Sequence, residues 1–226
     1  MRHGQHMEWR IGVSGGETTA VFEPVTAGRS AVFVFAHGAG GHKDDRGMLQ
    51  LSEAFRSRGL DIVRFNFLYR ERGSGRPDPM PLLKECLAAV VSRTRLELPP
   101  GALIIGGRSM GGRVASMLAA EGLSCDGLLL LAYPLHPAGR PEQLRDAHLS
   151  AITAPTLCFN GTRDSLCRQD LMEQALKGVK TDWTMRWLEG ADHGFHVLKS
   201  SGKTDADILT EIAELTEAWV SRLVRR

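Results

Sequence analysis

Three groups able to run acyl-transfer chemistry sit at separated points of this chain: Ser109 within Gly107-Arg-Ser109-Met-Gly111, Asp164 within Gly161-Thr-Arg-Asp164, and His193 within Ala191-Asp-His193-Gly. A serine hydroxyl is a poor nucleophile at its own pKa, so it needs a base within hydrogen-bond reach. That base needs a carboxylate to hold its tautomer and stabilise its protonated form. The G-x-S-x-G spacing matches a nucleophile elbow, a sharp strand-to-helix turn that lifts the serine hydroxyl clear of a sheet. Side chains two residues before and after the serine would collide where strand and helix cross, which gives Gly107 and Gly111 a steric reason.

A bare five-residue pattern arises readily by chance, so its context carries the weight. Leu103, Ile104 and Ile105 enter the turn as a buried-strand run, and Val114, Met117 and Leu118 leave it at helical spacing. Asp164 and His193 each follow another strand-like run, at 155–161 and 183–188. Three strand ends on one sheet edge are enough to gather the three groups. Each position has a rival reading. A structural turn can carry an idle serine, Asp164 can cap the helix after it, and His196 can replace His193 as base. Asp192 adjoins His193 along the backbone and suits a turn better than a bond to that ring.

His37-Gly-Ala39-Gly-Gly41 follows the apolar run 31–36. It lacks the lysine and Ser/Thr of a phosphate-binding loop. An oxyanion hole is the better fit, with an N–H near Ala39 joining the N–H of Met110 where negative charge grows on a tetrahedral intermediate. A glycine-rich turn without chemical use is the alternative. His37 and His42 would organise or flank such a loop. The charged segment 68–81 offers Arg70, Arg72 and Arg76 to an anionic substrate group, or simply to solvent. His136 and Arg140, in the segment 133–142, either face the pocket or serve in turns and caps. The candidate substrate contacts are therefore His37, Arg70, Arg72, Arg76 and His136.

The elements that must position these groups alternate along the chain. Strands are expected at 9–13 and 18–23, which alternate like a hairpin with one wet face. Further strands are expected at 31–36, 61–67, 127–132, 155–161 and 183–188 and through Leu103, Ile104 and Ile105 before the elbow; the unalternating runs 31–36 and 127–132 suit a sheet buried on both faces. Turns at Gly15-Gly16 and Thr26-Ala27-Gly28 separate the first three, and Pro99-Pro100-Gly101 leads into the elbow strand. Helices are expected at 48–58, 82–95, after the elbow, up to about Leu149, at 170–176 and at 205–226, the last with Ile208, Ile212, Leu215, Trp219 and Leu223 on one face. Strand and helix taking turns predict an α/β fold with a mostly parallel central sheet and helices on both faces. About twenty residues lie between the strand ending near 132 and Pro155, so any cap over the site is minimal.

At 226 residues the chain fits one domain, 1–226, with a sizeable core. An apolar fraction of 42% and a net charge of +2, with no dense basic stripe, give no reason to expect nucleic acid. No run reaches the roughly 18 apolar residues of a membrane span, and residues 1–10 lack the apolar core of a signal peptide, so a cytoplasmic protein is expected. The 22 arginines against 6 lysines fit a GC-rich bacterial genome. Cys86, Cys125, Cys158 and Cys167 show neither metal-ligand spacing nor a C-x-x-C pair, so neither metal nor disulfide is expected. An exposed edge strand and an amphipathic C-terminal helix suit a monomer or a homodimer equally.

Across nearly its whole length the chain resembles the α/β-hydrolase superfamily. His37-Gly-Ala-Gly40, Gly107-Arg-Ser-Met-Gly-Gly-Arg113, Tyr133-Pro-Leu-His-Pro137 and Gly161-Thr-Arg-Asp164 are similar to a small, cap-poor group related to dienelactone hydrolases. Within that group the resemblance extends to a branch holding a testis-expressed hydrolase-like protein and a subunit of the non-specific lethal chromatin complex. It implies Ser109 as nucleophile, His193 as base and Asp164 as acid, with no metal or organic cofactor, while the open, minimally capped site suggests a small acyl substrate. Dienelactone hydrolases of this layout carry cysteine at the nucleophile position, where this chain has Ser109. That departure favours ester or thioester hydrolysis over lactone opening. Some relatives in the branch serve as complex subunits, so a non-catalytic interaction module is the second expectation, and acyl transfer or peptidase chemistry on the same triad the third.

Overall fold

The computed structural model describes residues 6–25, 31–99 and 101–225. The expected turn at Thr26-Ala27-Gly28, and Pro100 before the elbow strand, lie outside the described residues. The alternating runs pair as the antiparallel hairpin β1 (Met7–Val13) and β2 (Gly16–Glu23). The other expected strands become β3 (Ala31–Ala36), β4 (Leu60–Phe65), β5 (Ala102–Arg108), β6 (Gly127–Leu131), β7 (Thr156–Gly161) and β8 (Trp183–Leu188). These form one eight-stranded sheet in the order β1-β2-β4-β3-β5-β6-β7-β8, parallel from β4 to β8. Every residue of β3, β4, β6 and β7 is buried, as runs without a wet face require.

Helices cover both faces. α3 (Met80–Glu97) and α4 (Met110–Ala120) pack on the face that carries Val32, Val34 and Ile105. α1 (Arg46–Arg56) and α6 (Asp205–Leu223) pack on the opposite face, against Phe33, Phe35 and Ile104. Alternate residues of one strand thus feed two cores, since successive side chains point to opposite sides. A single turn, α2 (Leu68–Glu71), and α5 (Gln169–Leu176) complete the helices. α6 starts at a capping box in which Thr204 and Asp207 bond each other's backbone N–H, and it buries Ile208, Ile212 and Trp219. Each such buried side chain contributes roughly 1.5–3 kcal/mol.

One expected helix is absent. Between β6 and the short 3-10 turn Leu149–Ala151 the backbone is irregular. Pro134, Pro137 and Pro141 each lack an N–H, and the polar groups nearby find tertiary partners instead. Tyr133 Oη donates to the Arg145 carbonyl at 2.9 Å, the Arg145 N–H returns to the Leu135 carbonyl, and His148 Nε2 lies 2.8 Å from Ser116 Oγ on α4. Tyr133, Leu135, His136 and Leu149 are buried, so this segment lies down on the domain face and builds no large cap.

Candidate active site

The parallel register brings Ala36 of β3 beside Gly107 of β5, and Arg108 beside Leu131 of β6. The chain leaves β5 and enters α4 within a single residue, Ser109, which holds φ 50° and ψ −114°. Such a backbone conformation costs a non-glycine residue on the order of 1–3 kcal/mol, which the surrounding packing sustains. The Ser109 N–H is anchored to the Leu131 carbonyl at 2.8 Å. A Cβ on Gly107 would strike the Ala36 carbonyl oxygen, and one on Gly111 would stand 2.5 Å from the same atom. The expected crossing of strand and helix is present, with a Gly107 Cβ placed 2.9 Å from the Gly111 carbonyl carbon, and the Ala36 oxygen of the neighbouring strand adds a second obstacle at both positions.

Ser109, His193 and Asp164 form one hydrogen-bonded chain. His193 Nε2 lies 2.9 Å from Ser109 Oγ, and His193 Nδ1 lies 2.8 Å from Asp164 Oδ2 and 2.9 Å from Oδ1. A carboxylate only accepts, so Nδ1 carries the ring proton and Nε2 is left to accept from the serine. The Asp164 side chain is fully buried, whereas the His193 ring keeps 27% of its surface exposed. The ring is thus held from behind and open in front. Asp164 also accepts from Leu166 N–H at 2.8 Å and from Asn160 Nδ2 at 3.0 Å. α5 begins only at Gln169, so Asp164 does not cap it. His196 is directed elsewhere, paired at the surface with Asp205 at 2.7 Å, and Asp192 accepts from the Gly194 and His196 N–H groups as a turn residue.

Ser109 and His193 open onto a cavity of about 690 Å³, lined further by the loop 38–42, the α1 start at 45–48, Arg70 and Arg108. The loop's peptide planes are set from behind. Gly38 O accepts from His37 Nδ1 at 2.7 Å, from Gly41 N–H at 3.1 Å and from Tyr69 Oη at 3.5 Å, and Tyr69 Oη also donates to Ala39 O at 2.7 Å. In a trans peptide the N–H opposes the C=O, so with Gly38 O drawn to this side the Ala39 N–H faces the other way. Burial pushes the Tyr69 phenol up to about 12, which keeps it protonated as a donor. Neither the Ala39 nor the Met110 N–H donates to another described residue.

The remaining expected substrate contacts fall into two groups. His37 is fully buried behind the loop, with Nε2 accepting from Phe67 N–H at 3.0 Å, and burial lowers its pKa to about 4. His136 is buried likewise, its ring set between the Pro137 carbonyl and the Arg168 N–H. Both rings are spent on backbone, and neither lines the cavity. Arg70 does line it, but as a strut: its guanidinium donates to the Gly40, Gly41 and Ser74 carbonyls. Arg72 pairs with Asp78, and Arg76 is exposed; both stand away from the cavity. Sequence reasoning missed Tyr69, Arg108 and Asn160. Asn160 alone had a readable signal, as a lone amide inside the apolar run of β7. Among the described residues no three His, Cys, Asp or Glu side chains converge as a metal site requires, and no helix is long and apolar enough to cross a membrane.

A family profile described as an alpha/beta hydrolase domain matches residues 29–221. The chain belongs to the alpha/beta hydrolases. No curated protein matches its sequence. Among solved structures, this alpha/beta hydrolase is similar to an alpha-beta serine hydrolase homologue from Coxiella burnetii, with TM-score 0.75 and 20% identity over 100% of this chain and 98% of that one. It is also similar to XC6422 from Xanthomonas campestris, described as an a/b serine hydrolase without lid, with TM-score 0.75 and 22% identity over 95% of each chain. A dienelactone hydrolase from Anabaena variabilis follows, with TM-score 0.74 and 21% identity over 96% and 97%. These likenesses bear on the alpha/beta hydrolase fold.

Proposed function

We propose that the protein is a serine hydrolase that cleaves a small carboxylic ester or thioester through an acyl-enzyme. The observation that carries this reading is the unbroken hydrogen-bonded chain from Ser109 through His193 to buried Asp164. Ser109 Oγ attacks the acyl carbonyl carbon as His193 Nε2 takes its proton. The resulting oxyanion is met by the N–H groups of Ala39 and Met110. His193 returns the proton to the departing alkoxide or thiolate as the carbon–oxygen or carbon–sulfur bond breaks. Water then attacks the acyl-enzyme, with His193 again as base, and releases the acid and Ser109. Asp164 holds the imidazole and offsets its positive charge throughout. The short, flat-lying segment after β6 leaves the site uncapped, which suits small acyl groups.

The test is labelling of the purified protein with a fluorophosphonate, read by intact mass, beside Ser109→Ala and His193→Ala. One adduct on the wild type that both substitutions abolish supports the hydrolase. A folded wild type that takes no adduct overturns it and turns attention to a non-catalytic interaction module.

A further inference from the structure

Arg108 ends β5 one residue before Ser109 and lines the same cavity. Its side chain lies against the start of α1, where a Cβ on Gly47 would come within 2.8 Å of its guanidinium. Three carboxylates surround it at longer range, those of Asp45, Asp192 and Asp164. Each is already engaged. Asp45 caps α1 through the Met48 N–H at 2.8 Å and takes the His42 N–H at 3.1 Å; Asp192 holds its turn; Asp164 holds His193. Among the described residues the Arg108 guanidinium makes one hydrogen bond, a long one of 3.4 Å to the His193 carbonyl, and lies 5.8 Å from the centre of the Phe195 ring.

A guanidinium carries five N–H donors in a planar fork that matches a carboxylate. Here most of that fork is unspent, in a half-buried position beside the proposed nucleophile. The other charged lining groups point the same way. Arg46 is exposed at the cavity rim, Arg70 is cationic although its donors are engaged, and Asp45 is the one acidic side chain in the lining. A neutral apolar acyl chain would leave the Arg108 donors desolvated and unpaired, whereas an anion would satisfy them.

The geometry points to Arg108 as a specificity residue for anionic substrates: esters or thioesters that carry a carboxylate a few bonds from the scissile carbonyl. This rests on the reading of Ser109 as nucleophile. Two matched pairs test it. The 4-nitrophenyl monoester of glutaric acid is compared with 4-nitrophenyl pentanoate, and 3-carboxyphenyl butanoate with phenyl butanoate. In the wild type at least one anionic member is expected to exceed its neutral partner in kcat/KM, and Arg108→Gln should lower that ratio roughly ten- to a hundredfold, the worth of a charge-assisted pair. Arg108→Lys, which keeps the charge, should retain part of the preference.

Preference for the neutral member in both pairs, or an equal loss on both members in Arg108→Gln, overturns the inference; the latter would assign Arg108 to positioning the His193 loop. Fluorophosphonate labelling and calorimetry on Ser109→Ala separate this failure from failure of the hydrolase reading. Labelling of Ser109 without anion preference sinks the Arg108 inference alone. No labelling, with monomethyl glutarate binding to Ser109→Ala and lost in Ser109→Ala/Arg108→Gln, sinks hydrolysis and keeps the anion site.

Discussion

Asn160 Nδ2 donates to Asp164 Oδ2 and to the Tyr133 carbonyl, each at 3.0 Å, while Asn160 Oδ1 accepts the Tyr133 N–H at 3.2 Å. One buried amide thus ties the end of β7 to the segment leaving β6 and to the carboxylate behind His193. Removing it in Asn160→Ala strands two backbone groups and one carboxylate contact. A stability loss of about 1–3 kcal/mol is expected in urea unfolding, because the partners stay buried without the bond. Fluorophosphonate labelling should slow in the same variant. An unchanged urea midpoint would show that the amide is replaceable.

Asp164→Asn separates holding the imidazole from shaping the fold. Asparagine keeps the size and can still accept, but its amide end also presents donors to His193 Nδ1 and so favours the wrong tautomer. Hydrolysis of 4-nitrophenyl acetate should fall on the order of 10⁴-fold, as loss of the correct tautomer does in serine triads generally. A loss smaller than tenfold would count against Asp164 as the acid.

The buried ring of His37 makes the fold acid-sensitive. Burial lowers its pKa to about 4, whereas an unfolded histidine titrates near 6.5. Between those values the unfolded chain binds a proton that the native state refuses. Stability is therefore full above about pH 6.5 and falls as pH drops toward 4. From pH 7 to pH 5, His37 accounts for about 2 kcal/mol of that fall. His148, lowered to about 4 by burial and by Arg113, acts in the same direction. Urea midpoints at pH 7 and pH 5 should differ less in His37→Asn than in the wild type. Equal differences would mean that His37 is not the responsible group.

His196 provides the control. Its pair with Asp205 is exposed, so His196→Ala should cost about 0–1 kcal/mol and leave the labelling rate at the wild-type value. A lost adduct would move the base from His193 to His196.

Particular residues show what was legible beforehand. The strand 31–36 was readable to the residue, because a continuous apolar run between breakers has few other places to go. The elbow was readable because strand and helix cross within one residue there, so that a Cβ on Gly107 would stand 2.9 Å from the Gly111 carbonyl carbon, a local constraint that leaves a local trace. The helix expected before Leu149 failed because Tyr133 and Arg145 bond across the segment itself and His148 reaches Ser116 on α4, which overrides local propensity. His37 was rightly attached to the glycine-rich loop, but Arg70 was assigned to substrate or solvent, and sequence could not say that His37 lies behind that loop or that Arg70 braces its carbonyls. Residue type reports chemistry; only the register of β3 with β4 and β5 decides which side of the loop a group occupies.

β8 is an edge strand of the sheet, and His193 follows it along the chain. During synthesis, Ser109 leaves the ribosome 84 residues ahead of the ring that must accept its proton. Over those 84 residues of synthesis the chain therefore carries an ordinary serine, however early its central strands associate. Under the proposed mechanism, reactivity is withheld until β8 docks and brings His193 to Ser109.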